Sequence, residues 1–501
     1  MGLTSTATAV AVQDVLRPLM LVLLPIFVLL RVNKVYPFVQ AVYTGLVRTV
    51  TPETAELARL SSKPVTTRSD GLVEDFRIPT NSDLQLRQVK VTPFSWSKLH
   101  FADHLSQLFL LLLATLVGPI VSATMSWINP HSTANYSALV ILLAVTGAHC
   151  INTLVRLLWQ SSSSLLLASG FFVFFFTLIL SLTAGHLFDI PLEEEYGLWE
   201  LEWVQQISAA QAPTTSDDNL PTPASDPVIV SRPSPADSRT HLRTILLLAS
   251  AMAGVLAAAL ALPALRLARN FVLSRTVPEP AFLYQTGPIT MLLAPLGICL
   301  TFFTPIADAL HQQGLATSDL IALRATLALL ALASQFGSLR PSMQYYLNSA
   351  FEKGTALLRG QGEDDHVEQE DESTASTSKK AKKKAKTKTS TASPTATVRA
   401  GQIQQTVEHV WQYSIVVALQ LLLPATLLFV PAAIALIKLG WPATSGSSIS
   451  TLNATESDDR ASPDRSAFIG QAAQAMLLWL SAVLSAFQIG AIVMLQKIQN
   501  M

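Results

Sequence analysis

The chain has 501 residues, of which 50% are hydrophobic and only 14% are charged, and its 34 basic residues balance its 34 acidic ones. Soluble proteins carry charge on about a quarter of their residues, so this composition excludes an ordinary soluble protein. The two cysteines, Cys150 and Cys299, lie in apolar runs and provide neither a disulfide framework nor metal-ligand spacing. The long apolar runs predict an all-α polytopic membrane bundle, because the strands of a membrane barrel are much shorter.

Nine apolar runs are predicted to cross the bilayer, since roughly 20 helical residues span its hydrocarbon core. In chain order, spans one to nine are Val15–Leu30, Leu105–Ile128, Ala138–Trp159, Leu165–Leu187, Leu242–Leu265, Phe282–Phe303, Leu320–Phe336, Tyr413–Ile437 and Phe468–Leu495. Arg31 and Lys34 follow span one, whereas a secretory signal has its basic residues before the apolar core. Span one is therefore interpreted as a retained helix with its N-terminus outside; a cleaved signal is the alternative.

Changes in composition divide the chain into ten regions. They are the first span (1–34), a basic cytosolic loop (35–100), spans two to four (101–188), an outside acidic and disordered loop (189–241), spans five to seven (242–338), an amphipathic surface helix (339–358), a disordered charged linker (359–400), span eight with its lead-in (401–438), an outside loop (439–466), and span nine with a cytosolic tail (467–501). In the first loop, apolar residues from Leu84 to Val91 partly alternate with polar ones, which predicts a short strand or extended arm.

Two amphipathic helices are predicted beside the membrane. Arg340 and Pro341 are interpreted as the end of span seven. Beyond them, apolar residues recur near helical spacing, at Met343, Tyr346, Leu347, Ala350, Phe351, Leu357 and Leu358. Glu352 and Lys353 lie between these residues and are expected to face water. Before span eight, one helix face is predicted to carry Ile403, Val407, Val410 and Trp411.

Lysine and arginine set the predicted orientation, because basic loops remain in the cytosol. The loops after spans one, three, five and seven are basic or hold the nearest arginine, which places the N-terminus outside and the C-terminus inside. The two N-x-S/T sequons, Asn135 and Asn453, both fall outside and are candidate glycosylation sites. The run Lys379–Lys388 is a candidate site for anionic lipid, at about 1 kcal/mol per lysine near the surface.

Arg324 is the strongest candidate for a functional residue, because a charged side chain inside a span is costly unless it is paired or reaches the surface. Helical side chains lean toward the N-terminus, which for span seven is the outer end, so snorkelling is one interpretation. The other is pairing within the bundle with an acid at the outer end, such as Asp189 or Asp308.

Four further polar residues of the spans are candidates. His149 and Arg156 are seven residues apart and share one face of span three. Arg156 is expected either to have a partner or a polar cavity within the bundle or to be an interface anchor beside Trp159. Arg266 is an inside anchor or makes a specific contact. Gln420, four residues before Pro424, is expected to satisfy the carbonyl that the proline leaves free, with a pore-lining role as the alternative.

A stripe of small residues marks span five. Ser250, Gly254 and Ala258 recur every four residues on an alanine-rich helix. Small residues at this spacing let two helix backbones approach each other. Span five is therefore predicted to lie centrally in the bundle, in close contact with another helix.

Several short sequence pieces resemble the transmembrane protein 161 family. They are Ile78-Pro79 and Asp83–Leu86 in the first loop, Gly170–Phe172 in span four, Leu192-Glu193, Pro263 with Leu265–Ala268 at the end of span five, Leu293–Pro295 in span six, Leu323-Arg324, Arg340, Gln344 and Tyr346–Asn348 around span seven, and Ala418–Gln420 with Pro424 in span eight. Their order and spacing relative to the spans carry the resemblance over residues 75 to 430. It implies a membrane protein that modulates ion currents or protects cells against stress, and it brings no catalytic site.

The sequence contains no GxxxxGK, GxSxG or HExxH motif, so an enzyme is not expected, nor is a cofactor or a metal. The leading hypothesis is a regulatory or auxiliary protein of the plasma membrane or an endomembrane. Its expected partners are the lipid bilayer and membrane proteins such as ion channels, not nucleic acid. A transporter or channel-like protein is the alternative, motivated by proline-bearing spans and intramembrane Arg324, His149 and Gln420.

Overall fold

The structure is a computed structural model that describes residues 37–50, 77–79, 86–92, 95, 99–128, 137–161, 168, 170–177, 235–276, 282–359, 397–440 and 465–499. Span one, most of span four, Asp189, both sequons and the lysine run lie outside the described residues. The chain forms two compact units. The described residues of the spanning unit lie within Ser106–Leu339 and Leu419–Met501, and those of the mixed unit lie within Pro37–Leu105 and Arg340–Ala418.

The described elements are ten helices and four short strands. In chain order they are α1 (Pro37–Tyr43), β1 (Val47–Thr49), β2 (Arg77–Pro79), β3 (Gln88–Lys90), α2 (Ala102–Ile128), α3 (Ser137–Ser161), α4 (Pro235–Thr276), α5 (Phe282–Phe302), α6 (Thr304–Gln312), α7 (Thr317–Leu358), β4 (Thr397–Arg399), α8 (Ala400–Gln412), α9 (Ser414–Ala435) and α10 (Arg465–Gln499), with a π-helical turn at Leu436–Gly440 after α9. Residues 170–177 are also helical.

Six of the described helical stretches are long and apolar enough to cross a membrane, and they correspond to spans three and five to nine. Helix α2 covers span two, and residues 170–177 belong to span four. The all-α membrane-type fold is confirmed, while the count of nine spans stays a prediction. Helix α4 begins at Pro235, inside the segment predicted to be disordered, because proline suits the first helical position, where no backbone donor is needed.

A close helix crossing in the spanning unit confirms that the small residues of span five let two backbones approach, while its central place in the bundle stays a prediction. A Cβ atom added at Gly254 would lie 3.0 Å from the carbonyl oxygen of Gly170 and 3.0 Å from the Cβ of Phe174. Ser250 and Ala258, one turn to either side, are buried. The absence of side chains at both glycines is therefore what allows these two helices to touch.

Helix α9 is the most deeply buried helix of the spanning unit among those described, since 94% of its most apolar window is buried. Every residue from Leu419 to Leu428 is buried, and of these only Gln420, Pro424 and Thr426 are not plain hydrophobic side chains. A helix that is apolar on all sides belongs in the interior of a bundle, surrounded by other helices. At its far end, Leu439 of the π-helical turn packs against Gly470 at the start of α10.

In the mixed unit, two antiparallel ladders tie the loop segments together. Strand β1 pairs with β3, which confirms the short strand predicted in the first loop. Strand β2 of the same loop pairs with β4, which follows span seven, with Ile78 opposite Val398. A backbone ladder cannot cross lipid, so these two segments lie on one side of the membrane; the cytosol as that side stays a prediction. Strand β4 lies at the end of the linker that was predicted to be disordered, and it corrects that prediction there. Its residues include β-branched Thr397 and Val398, which favour a strand.

Helix α7 runs from Thr317 to Leu358 without interruption at Pro341, so the predicted surface helix continues the helix of span seven. The end of the span at Arg340 and Pro341 stays a prediction. Proline removes one backbone hydrogen bond, and buried Leu339 and Met343 on either side hold the helix in place. The second half of α7 contacts β1 through Gln344, which accepts from the Val47 backbone N–H (2.8 Å) and donates to the Val47 carbonyl (3.0 Å). The Gln344 side chain thus makes the two hydrogen bonds that a neighbouring strand would make at this edge of β1.

Both predicted amphipathic faces are confirmed inside the mixed unit. The lead-in residues Ile403, Val407, Val410 and Trp411 are all buried. On α7, Met343, Leu347, Ala350 and Leu358 are buried, whereas Glu352 and Lys353 are exposed. Leu86, Leu358 and Ile403 form a hydrophobic cluster, against which Phe351 and Leu357 pack. The second half of α7 is therefore covered by protein on its apolar face.

Substitution Gly254→Leu should lower the thermal stability of the purified protein in detergent. A leucine has to displace the backbone of Gly170, and overpacking of this kind typically costs about 1–3 kcal/mol. Met252→Leu is the matched control, because Met252 lies on the same helix and is 61% exposed. An unchanged melting temperature for Gly254→Leu would show that the crossing is not tight.

Substitution Phe351→Asp should make the mixed unit sensitive to limited proteolysis. The carboxylate would be placed against the cluster of Leu86, Leu358 and Ile403, where burying a charge is unfavourable. Glu352→Gln, at the exposed neighbouring position, is the control and should leave the digestion pattern as in the wild type. Equal digestion rates for both variants would contradict the packing of this face.

Candidate functional site

The candidate site is centred on Arg324 in the second turn of α7. Its side chain is 3% exposed and lies inside the spanning unit. Ile321 and Ala325 on the same face are also buried, so the helix presents the arginine to its neighbours within the bundle. This packing favours the interpretation that Arg324 is held within the bundle over the one in which it snorkels to the surface.

Neighbouring helices supply oxygen acceptors for the guanidinium. Nε donates to the hydroxyl of Thr301 (3.1 Å), and Nη2 donates to the backbone carbonyl of the same residue (2.8 Å). Nη1 donates to Oε1 of Gln474 on α10 (2.7 Å). The guanidinium carbon lies 3.7 Å from the ring centroid of Phe302, a cation–π distance. The arginine therefore joins α7 to α5 and to α10.

The position of Thr301 explains why a cation is accepted here. Helix α5 ends at Phe302, so the carbonyl of Thr301 is one of the last four, which have no partner within the helix. The helix dipole also places partial negative charge at this end. A planar guanidinium can satisfy both the hydroxyl and the carbonyl of one residue, which a lysine ammonium cannot do with the same geometry.

The structure bears differently on the two acids proposed as partners of Arg324. Asp308 lies in α6 and is exposed. Asp189 lies outside the described residues, so its pairing with Arg324 stays a prediction. Among the described residues, oxygens of Thr301 and Gln474 accept hydrogen bonds from the buried guanidinium. These bonds can stabilise one arrangement of three helices.

Three other predicted candidates lie on α3 and α4. His149 is half-buried in α3, and its backbone carbonyl accepts from the Thr153 hydroxyl (2.8 Å). Arg156 is exposed one turn before Trp159, which is 87% exposed; this exposure supports the interface anchor. Arg266 is half-buried near the end of α4.

Gln420 is buried at 4% exposure, and its Oε1 atom has no hydrogen-bond partner among the described residues. Its predicted bond to the carbonyl freed by Pro424 stays a prediction. Two further glutamines that sequence analysis did not single out, Gln335 and Gln488, are buried in the same way. In the sequence, the feature that could have identified them is a glutamine within an apolar run.

A cavity in the mixed unit was not foreseen either. It has a volume of about 650 Å³ and is lined by Arg48, Thr92, Ser95, Leu99, His100, Glu408, Trp411 and Gln412. The guanidinium of Arg48 lies 4.5 Å from the ring centroid of Trp411, and Gln412 donates to Glu408 (3.2 Å). The cavity is large enough for a small molecule, but it is lined by groups of both charges, which does not specify one class of ligand.

Substitution Arg324→Lys should lower the melting temperature in detergent, because an ammonium cannot keep the bonds to both Thr301 and Gln474. Loss of a hydrogen bond from a charged donor typically costs about 1.5–3 kcal/mol. Arg324→Leu should cost more, since it also leaves the buried acceptors unsatisfied, and Gln474→Leu should add little to it. The control is Arg156→Lys at the exposed arginine; if Arg324→Lys behaved like this control, the site would not stabilise the bundle.

Comparison with known proteins identifies the family of this chain. A family model described as "Predicted transmembrane protein 161AB" matches residues 16–370. The match covers Arg324 and the Arg340–Gln344 segment, and it ends before α9 and α10. No significant match was found among curated proteins or among solved structures. Because the family model covers more than half of the chain, this protein belongs to the transmembrane protein 161 family.

Proposed function

We propose that this multi-pass protein is a non-enzymatic regulatory or auxiliary factor that acts through contacts with other membrane proteins, such as ion channels. Modulation of ion currents or a role in the cellular stress response is the expected outcome of these contacts. The plasma membrane or an endomembrane is the proposed location. The family description names a transmembrane protein and no reaction, which is consistent with this proposal.

The observation that carries the proposal is the burial of α9. A channel or transporter needs a polar pathway, whereas this helix places an almost wholly apolar segment, Leu419 to Leu428, where it is enclosed by protein. Its threonine, Thr426, donates its hydroxyl back to the Leu422 carbonyl and so adds no free polar group. The interior of the spanning unit is thus filled along this helix, which favours action at the outer surfaces.

The outward faces offer apolar area for such contacts. On α4, Leu248 and Met252 are 67% and 61% exposed, and Phe171 and Phe172 are 66% and 72% exposed. In a bilayer these faces contact lipid chains, and they are also suited to packing against the helices of a partner. Anionic lipid at Lys379–Lys388 and glycans at Asn135 and Asn453 remain further proposals of the same kind.

A transporter is the second candidate, and the buried amide groups favour it. Gln420 and Gln488 have side-chain atoms without partners among the described residues, deep in the spanning unit. Polar groups inside a membrane bundle often mark a solute pathway. Flux through the protein alone therefore distinguishes the two candidates.

Liposomes that contain only the purified full-length protein should release K⁺, Na⁺, Cl⁻ and protons no faster than protein-free liposomes. In cells that express the chain, its depletion should change whole-cell currents, and re-expression of the wild type should restore them. Flux above the protein-free level that is lost in Gln420→Leu would establish the transporter instead. Unchanged currents after depletion would contradict the proposed action on ion currents.

A further inference from the structure

Three buried glutamines on three different helices have unmet hydrogen-bonding atoms. Gln335 on α7, Gln420 on α9 and Gln488 on α10 are 1%, 4% and 2% exposed. Among the described residues, Oε1 of each has no hydrogen-bond partner, and neither does Nε2 of Gln488. The hydroxyl of Ser485, one turn from Gln488, is also buried and unpartnered within this part of the chain. These atoms need a partner that the described side chains do not supply.

The three glutamines lie at the same depth in the spanning unit. Ile321 of α7, Ala435 of α9 and Ala473 of α10 meet in one hydrophobic cluster, where α7 and α10 begin and α9 ends. From this cluster Gln335 is 14 residues along α7, Gln488 is 15 along α10, and Gln420 is 15 back along α9. At 1.5 Å per residue, each is about 21–23 Å from the cluster. Because all three helices cross the bilayer from this end, the glutamines form one layer.

The hydrogen bond of Arg324 to Gln474 identifies the faces of α7 and α10 that meet near the start of these helices. A helix turns about 100° per residue, so Gln335, eleven residues after Arg324, points within about 20° of the same direction. Gln488, fourteen residues after Gln474, points within about 40° of its direction. The faces of α7 and α10 that meet at Arg324 and Gln474 therefore also carry Gln335 and Gln488.

The mixture of unmet atoms identifies the chemistry of the occupant. Three amide oxygens require donors, while the amide nitrogen of Gln488 requires an acceptor. A metal cation satisfies only the oxygens, and an anion satisfies only the nitrogen and the hydroxyl. Water donates and accepts at once, and buried waters typically bridge about three such groups. Lipid chains supply no hydrogen bonds, so leaving these groups dry is costly.

We propose that the layer of Gln335, Gln420 and Gln488 is a buried binding site for a small cluster of water molecules that bridges α7, α9 and α10. The Ser485 hydroxyl belongs to the same site. Nearby, the hydroxyls of Thr290 on α5 and Ser334 on α7 are already hydrogen-bonded to each other, which borders the site on that side. This inference is independent of the proposed regulatory function, because a bound water cluster requires no passage across the bundle.

Radiolytic labelling of the intact protein in detergent, with mass spectrometry, tests the site directly, since hydroxyl radicals form where water is bound. Leu332 and Leu484 lie one turn before Gln335 and Gln488 and are at most 1% exposed. They should be labelled several-fold more than the controls Leu320 and Leu260, which are equally buried. Leu320 lies near the start of α7, far from the layer, and Leu260 lies on α4, which is not part of it. Labelling equal to that of these controls would overturn the proposal.

Substitutions provide a second readout. With a shared water cluster, Gln335→Leu and Gln488→Leu should each lower the melting temperature by several degrees, and the double variant should lose less than the sum, because the two side chains share one network. Two additive increases in melting temperature would show a dry layer. Gln313→Leu at an exposed position is the control for added hydrophobicity and should leave the melting temperature unchanged.

A change of the salt in the buffer distinguishes a bound cation from bound water. Replacing Na⁺ and K⁺ by choline should leave the melting temperature and the labelling of Leu332 unchanged if water is the occupant. A fall in melting temperature in choline that is abolished by Gln335→Leu would overturn the water site in favour of a cation site.

Discussion

The structure depends on one constraint, which is that a polar group inside a bilayer must find its partner within the protein. Arg324 obeys it by taking the hydroxyl and the free carbonyl of Thr301 together with the amide of Gln474. Threonines along the spans obey it locally, as Thr146 and Thr426 do by donating to the carbonyl four residues earlier. The three interior glutamines are where the described residues fall short of it, and there the shortfall points to bound water.

The end of helix α5 contributes to the burial of Arg324. The carbonyl of Thr301 accepts a hydrogen bond from the guanidinium, and the dipole of α5 places partial negative charge at the same end, in a typical helix about half an elementary charge. In a low-dielectric interior such an attraction is stronger than it would be in water.

Local patterns predicted most of the fold. The lengths of apolar runs predicted the observed helices α3, α5 and α10 to within a few residues, and helical spacing predicted the buried faces around Ile403 and Met343. The continuity of α7 through Pro341 could not be predicted, because a proline weakens a helix only by a local amount, which packing on both sides can outweigh. Thr397–Arg399 was missed because its pairing partner lies far away in the sequence.

Only half of the candidate site could be predicted from the sequence, for the same reason. A lone arginine in an apolar run identifies Arg324 directly, but its partner Gln474 is 150 residues away and looks like any other polar residue of a long helix. Which acceptor a buried donor uses depends on how helices are arranged, and hydropathy carries no such information. The common depth of the three glutamines can be recognised only once the cluster of Ile321, Ala435 and Ala473 gives the relative positions of their helices along the bundle.

The ladder between β2 and β4 has a consequence for how the protein is made. Pro79 pairs with Thr397, 318 residues later, so the ribosome completes β2 long before its partner strand exists. At about 5–20 residues per second the delay is roughly 16–64 s. During this time the edge of β2 is open to pairing with other chains. The mixed unit therefore cannot complete its fold until the ribosome has synthesised span seven and the linker that carries β4.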